Sequence, residues 1–163
     1  MRTLLILLGA SVLLTAAALW AQPTDYNGPI PPKADVPYLL HASNLIETET
    51  QEAHQEQKKN ETLFWINGES SPARTPLAEP IFIMRAEKLR PESIEMYRFE
   101  VKNNRRELTL KQNPKDDDAH PLHITVTKIG DRLYRVEASE VLPNGEYSLS
   151  PNGTNAVFSF EVY

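Results

Sequence analysis

The chain contains no cysteine. That excludes a disulfide scaffold, a thiolate zinc site, an iron–sulfur cluster, a cysteine nucleophile and lipid attachment through a thiol. It also lacks a basic excess: 17 Lys and Arg stand against 22 Asp and Glu, a net charge of −5. Nucleic-acid binding ordinarily needs a basic face, so no nucleic-acid partner is expected. Missing too are a Gly-x-Ser-x-Gly elbow, a His-Glu-x-x-His pair and a glycine-rich phosphate loop, the compact signatures of hydrolases, zincins and nucleotide binders. After residue 37 there is no long amphipathic helical period. The 163 residues suffice for one domain, or a domain and a tail.

What is present begins with an export signal. Met1-Arg2-Thr3 gives a positive start, an apolar stretch runs from Leu4 to Leu14, and small residues lead to Ala21 before Gln22-Pro23. This is the n-region, h-region and small-residue pattern of a secretory signal peptide over residues 1–21, with cleavage expected after Ala21 and Ala18 as the second choice. The alternative is an uncleaved anchor, since Leu4 to Ala21 is free of charge and reaches the lower edge of a bilayer span. Cleavage leaves 142 of the 163 residues at a net charge of −6 and no membrane span. The expected location is periplasmic or extracellular, and a cysteine-free exported domain of this size suits a bacterial source. Its stability must come from a core, which a chain of about 140 residues can build.

Residues 22–37 hold five prolines, which deny the segment a helix and most ladder hydrogen bonds. It is expected to be a poorly ordered linker or extended arm. Residues 38–163 read as strands. Met96 to Lys102 alternates, with Tyr97, Phe99 and Val101 on one face; Asn103-Asn104 turns, and Glu107 to Lys111 returns with period two, predicting a hairpin. Gly130-Asp131 joins two further alternating runs, with the glycine expected to supply the positive φ. Val157 to Val162 buries Phe158, Phe160 and Val162 on one side. The fold class is all-β, an antiparallel domain of about seven to nine strands. Residues 47–62 are nearly devoid of apolar side chains and are expected to form a protruding polar hairpin, or else a solvated helix or disordered loop.

Val141-Leu142-Pro143-Asn144-Gly145-Glu146-Tyr147 resembles the tyrosine corner of immunoglobulin-like and fibronectin-type-III-like sandwiches. The resemblance implies that Pro143, Gly145 and Tyr147 are structural, with the Tyr147 hydroxyl bonded back to the chain upstream. It covers seven residues and a Phe-x-Phe-x-Val final strand, lacks the tryptophan between paired cysteines, and brings no catalytic residue.

Three groups of residues carry possible chemistry. Asp116, Asp117, Asp118, His120 and His123 lie within eight residues and offer oxygen and nitrogen donors for a divalent cation, although successive strand residues point to opposite faces and the spacing fits no known loop. Arg98, Lys102, Arg105 and Arg106, with Lys111 and Lys115, concentrate positive charge around the Asn103-Asn104 turn and are candidates for contact with an anionic partner. The interleaved Glu100 and Glu107 favour the plainer reading of a solvated face. Phe64 and Trp65 are adjacent in an alternating run, so one of them should face outward and be available to a glycan or protein.

The expectation is an exported, non-enzymatic β-sandwich without cofactor, acting through protein or cell-envelope contacts, with self-association through sheet edges as one route. The alternatives are a small-ligand or metal-binding module using the Asp116–His123 loop, and an enzyme acting on envelope polysaccharide.

Overall fold

The computed structural model describes residues 26–163. The export signal, with its cleavage points, lies outside the described residues. Of the described residues, no helix is long and apolar enough to cross a membrane. They form three sheets built almost wholly from antiparallel pairs.

The first sheet has the order β11 (Ile124–Gly130), β12 (Leu133–Ala138), β7 (Ile81–Arg85), β1 (Pro37–His41), β2 (Asn44–Glu47). The second has the order β3 (Glu49–Glu52), β14 (Ala156–Val162), β13 (Gly145–Pro151), β8 (Ile94–Arg98), with the short β6 (Arg74–Thr75) parallel to the end of β14. The third has the order β4 (His54–Lys58), β5 (Glu61–Asn67), β10 (Arg105–Lys111), β9 (Glu100–Lys102). The described residues form fourteen strands, more than the expected seven to nine, in part because two runs each serve more than one sheet. Residues 44–58 pass along the edge of all three sheets as β2, β3 and β4, and residues 94–102 pass from the second sheet to the third as β8 and β9. Both runs bend where they change sheet. There the backbone N–H of Ala53 is donated to Asn155 O (2.7 Å) and that of Phe99 to Glu146 O (2.8 Å).

The second sheet is buried on both faces. Leu39, Phe82, Met84 and Val136 of the first sheet meet Met96, Tyr147, Leu149 and Phe160 of the second in one core. Phe82 and Phe160 pack edge to face at 4.9 Å, a geometry suited to the ring quadrupoles. A separate core joins Ile66 and Leu108 of the third sheet to Tyr97 and Val157 of the second. Side chains alternate along a strand, so the neighbours Met96 and Tyr97, and likewise Val157 and Phe158, divide between the two cores.

The turns follow local chemistry, with one exception. Asn103 and Asn104 both have positive φ (53° and 58°), as a two-residue hairpin between β9 and β10 requires. In the β11–β12 turn Arg132, not Gly130, adopts the positive φ (53°), and the register slips between Lys128 and Gly130. The polar segment 47–62 is built into the sheets: β3 pairs with β14, and the wholly exposed β4 pairs with β5 across a Lys59–Asn60 turn.

The proline-rich segment is bound rather than free in its described part. Ala34 bridges in parallel to Arg85, and Lys33 pairs with Glu47 at 2.6 Å. The Asp35 carboxylate accepts the backbone N–H groups of Glu87 (2.8 Å), Lys88 and Leu89 (both 3.0 Å). Burial pushes the Asp35 carboxyl upward, but the three N–H groups outweigh it and hold the acid below its usual range. Tyr147 is fully buried, and its hydroxyl donates to Pro143 O at 2.5 Å.

Candidate functional site

The four basic residues expected to form a patch do not form one. Arg98 Nη2 donates to Asn144 O at 3.0 Å, and Lys102 pairs with Glu100 on the same strand. Arg105 Nε donates to Glu107 Oε1 at 2.5 Å, and its guanidinium lies 4.8 Å from the centre of the Trp65 ring. Arg106, placed by sequence on the surface, has no solvent exposure. Phe64 packs against the second core, while the half-buried Trp65 points to the other face, held between Arg105 and a stacked His54 ring 5.3 Å away.

Nor does the Asp116–His123 loop gather its donors. Asp116 and Asp117 are exposed. Asp118 is engaged by Lys111 and by the Lys115 N–H (2.8 Å), and the Lys111 ammonium, followed by that N–H, holds its carboxyl below the usual range. His120 Nδ1 faces Asp118 O at 3.0 Å, and the exposed His123 ring sits 3.7 Å from Glu140. Among the described residues no three His, Asp or Glu side chains converge to hold a metal ion.

The concentrated chemistry lies instead where the second and third sheets part. Arg106 projects from β10 into the junction, and all three nitrogens of its guanidinium donate hydrogen bonds. Nε donates to Gly68 O and Nη2 to Asn67 O, both at 3.0 Å. Nη1 donates to Glu49 Oε2 (2.8 Å) and Ser159 Oγ (3.1 Å), with a longer 3.4 Å contact to Glu146 Oε2. These partners come from β3, β13, β14, the end of β5 and the turn after it, so one side chain ties the two sheets together. A buried arginine is tolerable only when paired and hydrogen-bonded in this way.

The two carboxylates differ. Burial raises the Glu49 carboxyl, but the Arg106 and Ser159 donors prevail and leave it below its ordinary value. Glu146 is 5 % exposed; burial pushes its carboxyl up to about 7, and the Ser71 N–H (3.0 Å) and Arg106 only partly offset that. Glu161, opposite it on β14, adds repulsion.

Glu146 lines an open cleft of about 1120 Å³. Phe99, Leu108 and Leu122 supply apolar lining, and charged side chains of both signs, among them Glu69, Lys111, Asp117 and Glu161, line the rest. Gly145 also lines the cleft, and a Cβ there would come within 3.2 Å of the Arg98 guanidinium. The sequence reading missed this site, although Arg106, Leu108 and Leu110 alternate on one face of β10, and that periodicity marks Arg106 as inward-facing.

Comparison with known proteins finds no matching family model, no similar curated protein and no similar solved structure.

Proposed function

We propose that this chain is an exported, immunoglobulin-like β-sandwich protein that acts by binding a protein or cell-envelope component, without catalysis. The observation that carries the binding reading is the open cleft of about 1120 Å³, lined by apolar and charged groups in alternation along the edge of the third sheet. Clefts of this kind are the usual sites of recognition. The four histidines stand apart on the surface: His41 ends β1, His54 stacks on Trp65, and His120 and His123 lie on opposite sides of Pro121-Leu122. The immunoglobulin-like assignment rests on the Tyr147–Pro143 hydrogen bond, which has the geometry of a tyrosine corner, and on two sheets sharing a core of inward-facing side chains. The third sheet is then an addition carried on the outer face of the sandwich. Export rests on the n-region, h-region and Ala-x-x-Ala ending of residues 1–21.

A photo-cross-linking amino acid at Thr109, which lines the cleft, tests the reading in intact source cells, with the exposed Thr127 on β11 as the control position. A discrete adduct from position 109 and none from 127 is expected. Adducts from 127 alone would refute the cleft as the contact surface.

A further inference from the structure

We propose that the free edge of β10 inside the cleft takes an extended peptide segment of a partner protein as an added strand, held by main-chain hydrogen bonds. The proposal rests on the reading of the cleft as a contact surface and names how the partner is gripped. The register of β10 locates the edge. Gly68 N–H donates to Asn104 O and Gln112 N–H to Asn60 O, so the even-numbered residues of β10 turn their main-chain groups to β5. The odd-numbered residues turn theirs the other way, where Arg105 and Glu107 meet Lys102 and Glu100 of β9. Nothing continues that pairing, because the chain before β9 leaves for the second sheet, where the Phe99 N–H is donated to Glu146 O (2.8 Å). Thr109 and Lys111 are left with no strand opposite them. Among the described residues none of their four main-chain N–H and C=O groups has a hydrogen-bond partner.

The cleft lies along this unpaired side. Thr109 and Lys111 line it, together with Arg98 and Phe99 of the diverging chain and several residues of the Asp117–Leu122 loop, and no residue of β4 or β5 does. The loop is fastened at two points: Asp118 pairs with Lys111, and the Leu122 N–H is donated to Met96 O at 2.8 Å. So enclosed, the edge is open to a single chain rather than to the broad edge of a second folded sheet. A volume of about 1120 Å³ exceeds the roughly 300–1,000 Å³ of a drug-sized pocket, as an extended segment requires.

Strand addition of this kind takes its affinity from main-chain bonds and its selectivity from alternate side chains. Side chains on one face of the added strand would lie beside Glu107, Thr109 and Lys111, and those on the other would point to the second core, where the half-buried Ala119 lines the cleft. The segment therefore alternates polar and apolar residues. Lys102 and Lys111 are paired with Glu100 and Asp118, whereas Glu69 and Asp117 line the cleft with no ion-pair partner among the described residues, so the flanks of the segment carry positive charge.

The probe is the capped heptapeptide Lys-Thr-Val-Thr-Val-Thr-Lys, with a control N-methylated at every residue but the terminal lysines. Residue-resolved hydrogen exchange of the full chain reads the result. In the free protein the Thr109 and Lys111 amides should exchange fast and those of Leu108 and Leu110, bonded to β5, slowly. The peptide at millimolar concentration should slow Thr109 and Lys111 at least tenfold, and the N-methylated control should leave them unchanged. Thr109→Pro removes a cleft-facing N–H that the β5 ladder does not use, a change tolerated at strand edges, and should weaken binding at least tenfold. No peptide binding, equal binding of the N-methylated control, or protection confined to β4 or β11 overturns the proposal. Failure of the peptide together with a cellular adduct from position 109 would remove strand addition and leave the contact surface standing.

Discussion

Replacing Arg106 with methionine removes a fully buried cation at the junction of the second and third sheets while keeping a similar stem. Five hydrogen bonds disappear, and Glu49 and Glu146 are left facing each other without the guanidinium between them. Breaking a buried pair by deleting one partner costs about 3–5 kcal/mol, because the uncompensated charge outweighs the lost attraction. The Asn67 and Gly68 carbonyls lose donors as well, which places the expected value toward the upper end. Total stabilities are about 5–15 kcal/mol, so the variant should still fold but with a small margin. With a urea m-value of about 2 kcal/mol/M, the midpoint should fall by about 1.5–2.5 M at pH 7. The decisive comparison is the triple variant Arg106→Met, Glu49→Gln, Glu146→Gln, which removes the cation and both carboxylates together. It should recover at least half of the loss, since apolar or neutral replacement of a whole buried ionic set is well tolerated. A single variant within about 0.5 kcal/mol of wild type would show that Arg106 is solvated, and a triple variant no better than the single would show that the loss is one of packing rather than charge.

Three further outcomes are expected. Glu146 has a folded-state pKa raised from 4.5 to about 7, so its proton favours the folded state; that contribution is complete below pH 4.5 and is lost as pH rises through 7, and urea titrations should show a fall of about 2.5 kcal/mol between pH 5 and pH 8 in wild type and not in Glu146→Gln. Tyr147→Phe removes a buried hydroxyl bonded to Pro143 O and should cost about 1–1.5 kcal/mol, with the near-ultraviolet dichroism of the folded state otherwise retained; no loss would deny the corner its structural role. Asp35→Ala frees the N–H groups of Glu87, Lys88 and Leu89, and should cost about 2–3 kcal/mol and speed hydrogen exchange at those three amides while sparing β13 and β14; because the Asp35 carboxyl lies below its usual range, its contribution is present above the unfolded pKa and should vanish as pH falls through the folded one.

Strand periodicity made much of the first core legible. Phe158, Phe160 and Val162 alternate, and all are buried as the pattern implies. The turn chemistry of Asn103-Asn104 and the spacing from Pro143 to Tyr147 were equally readable, because each depends on a few neighbouring residues. Of the third sheet, only the β9–β10 hairpin was. Its edge strand, His54–Lys58, carries no apolar side chain, and only pairing with β5 makes it a strand. The charged cluster stayed hidden for another reason: Glu49, Arg106, Glu146 and Ser159 lie far apart in the chain, and surface and buried arginines look alike in composition. The inward side of β10, shared by Arg106 with two leucines, was the one local clue. The plainer reading of the basic residues was legible too, since the interleaved Glu100 and Glu107 pair with Lys102 and Arg105 within their own hairpin.

The pairing of β3 with β14 has a consequence for how the protein is made. Glu49 lies opposite Ser159, 110 residues later, and β14 occupies an inner position in the sheet that both cores rest on. A nascent chain emerging from its N-terminus can form the β4–β5 and β9–β10 hairpins early, but it cannot close that sheet until β14 arrives. Such long-range closure slows folding into the range of milliseconds to seconds. The order of synthesis therefore leaves the second sheet open until β14 has been made.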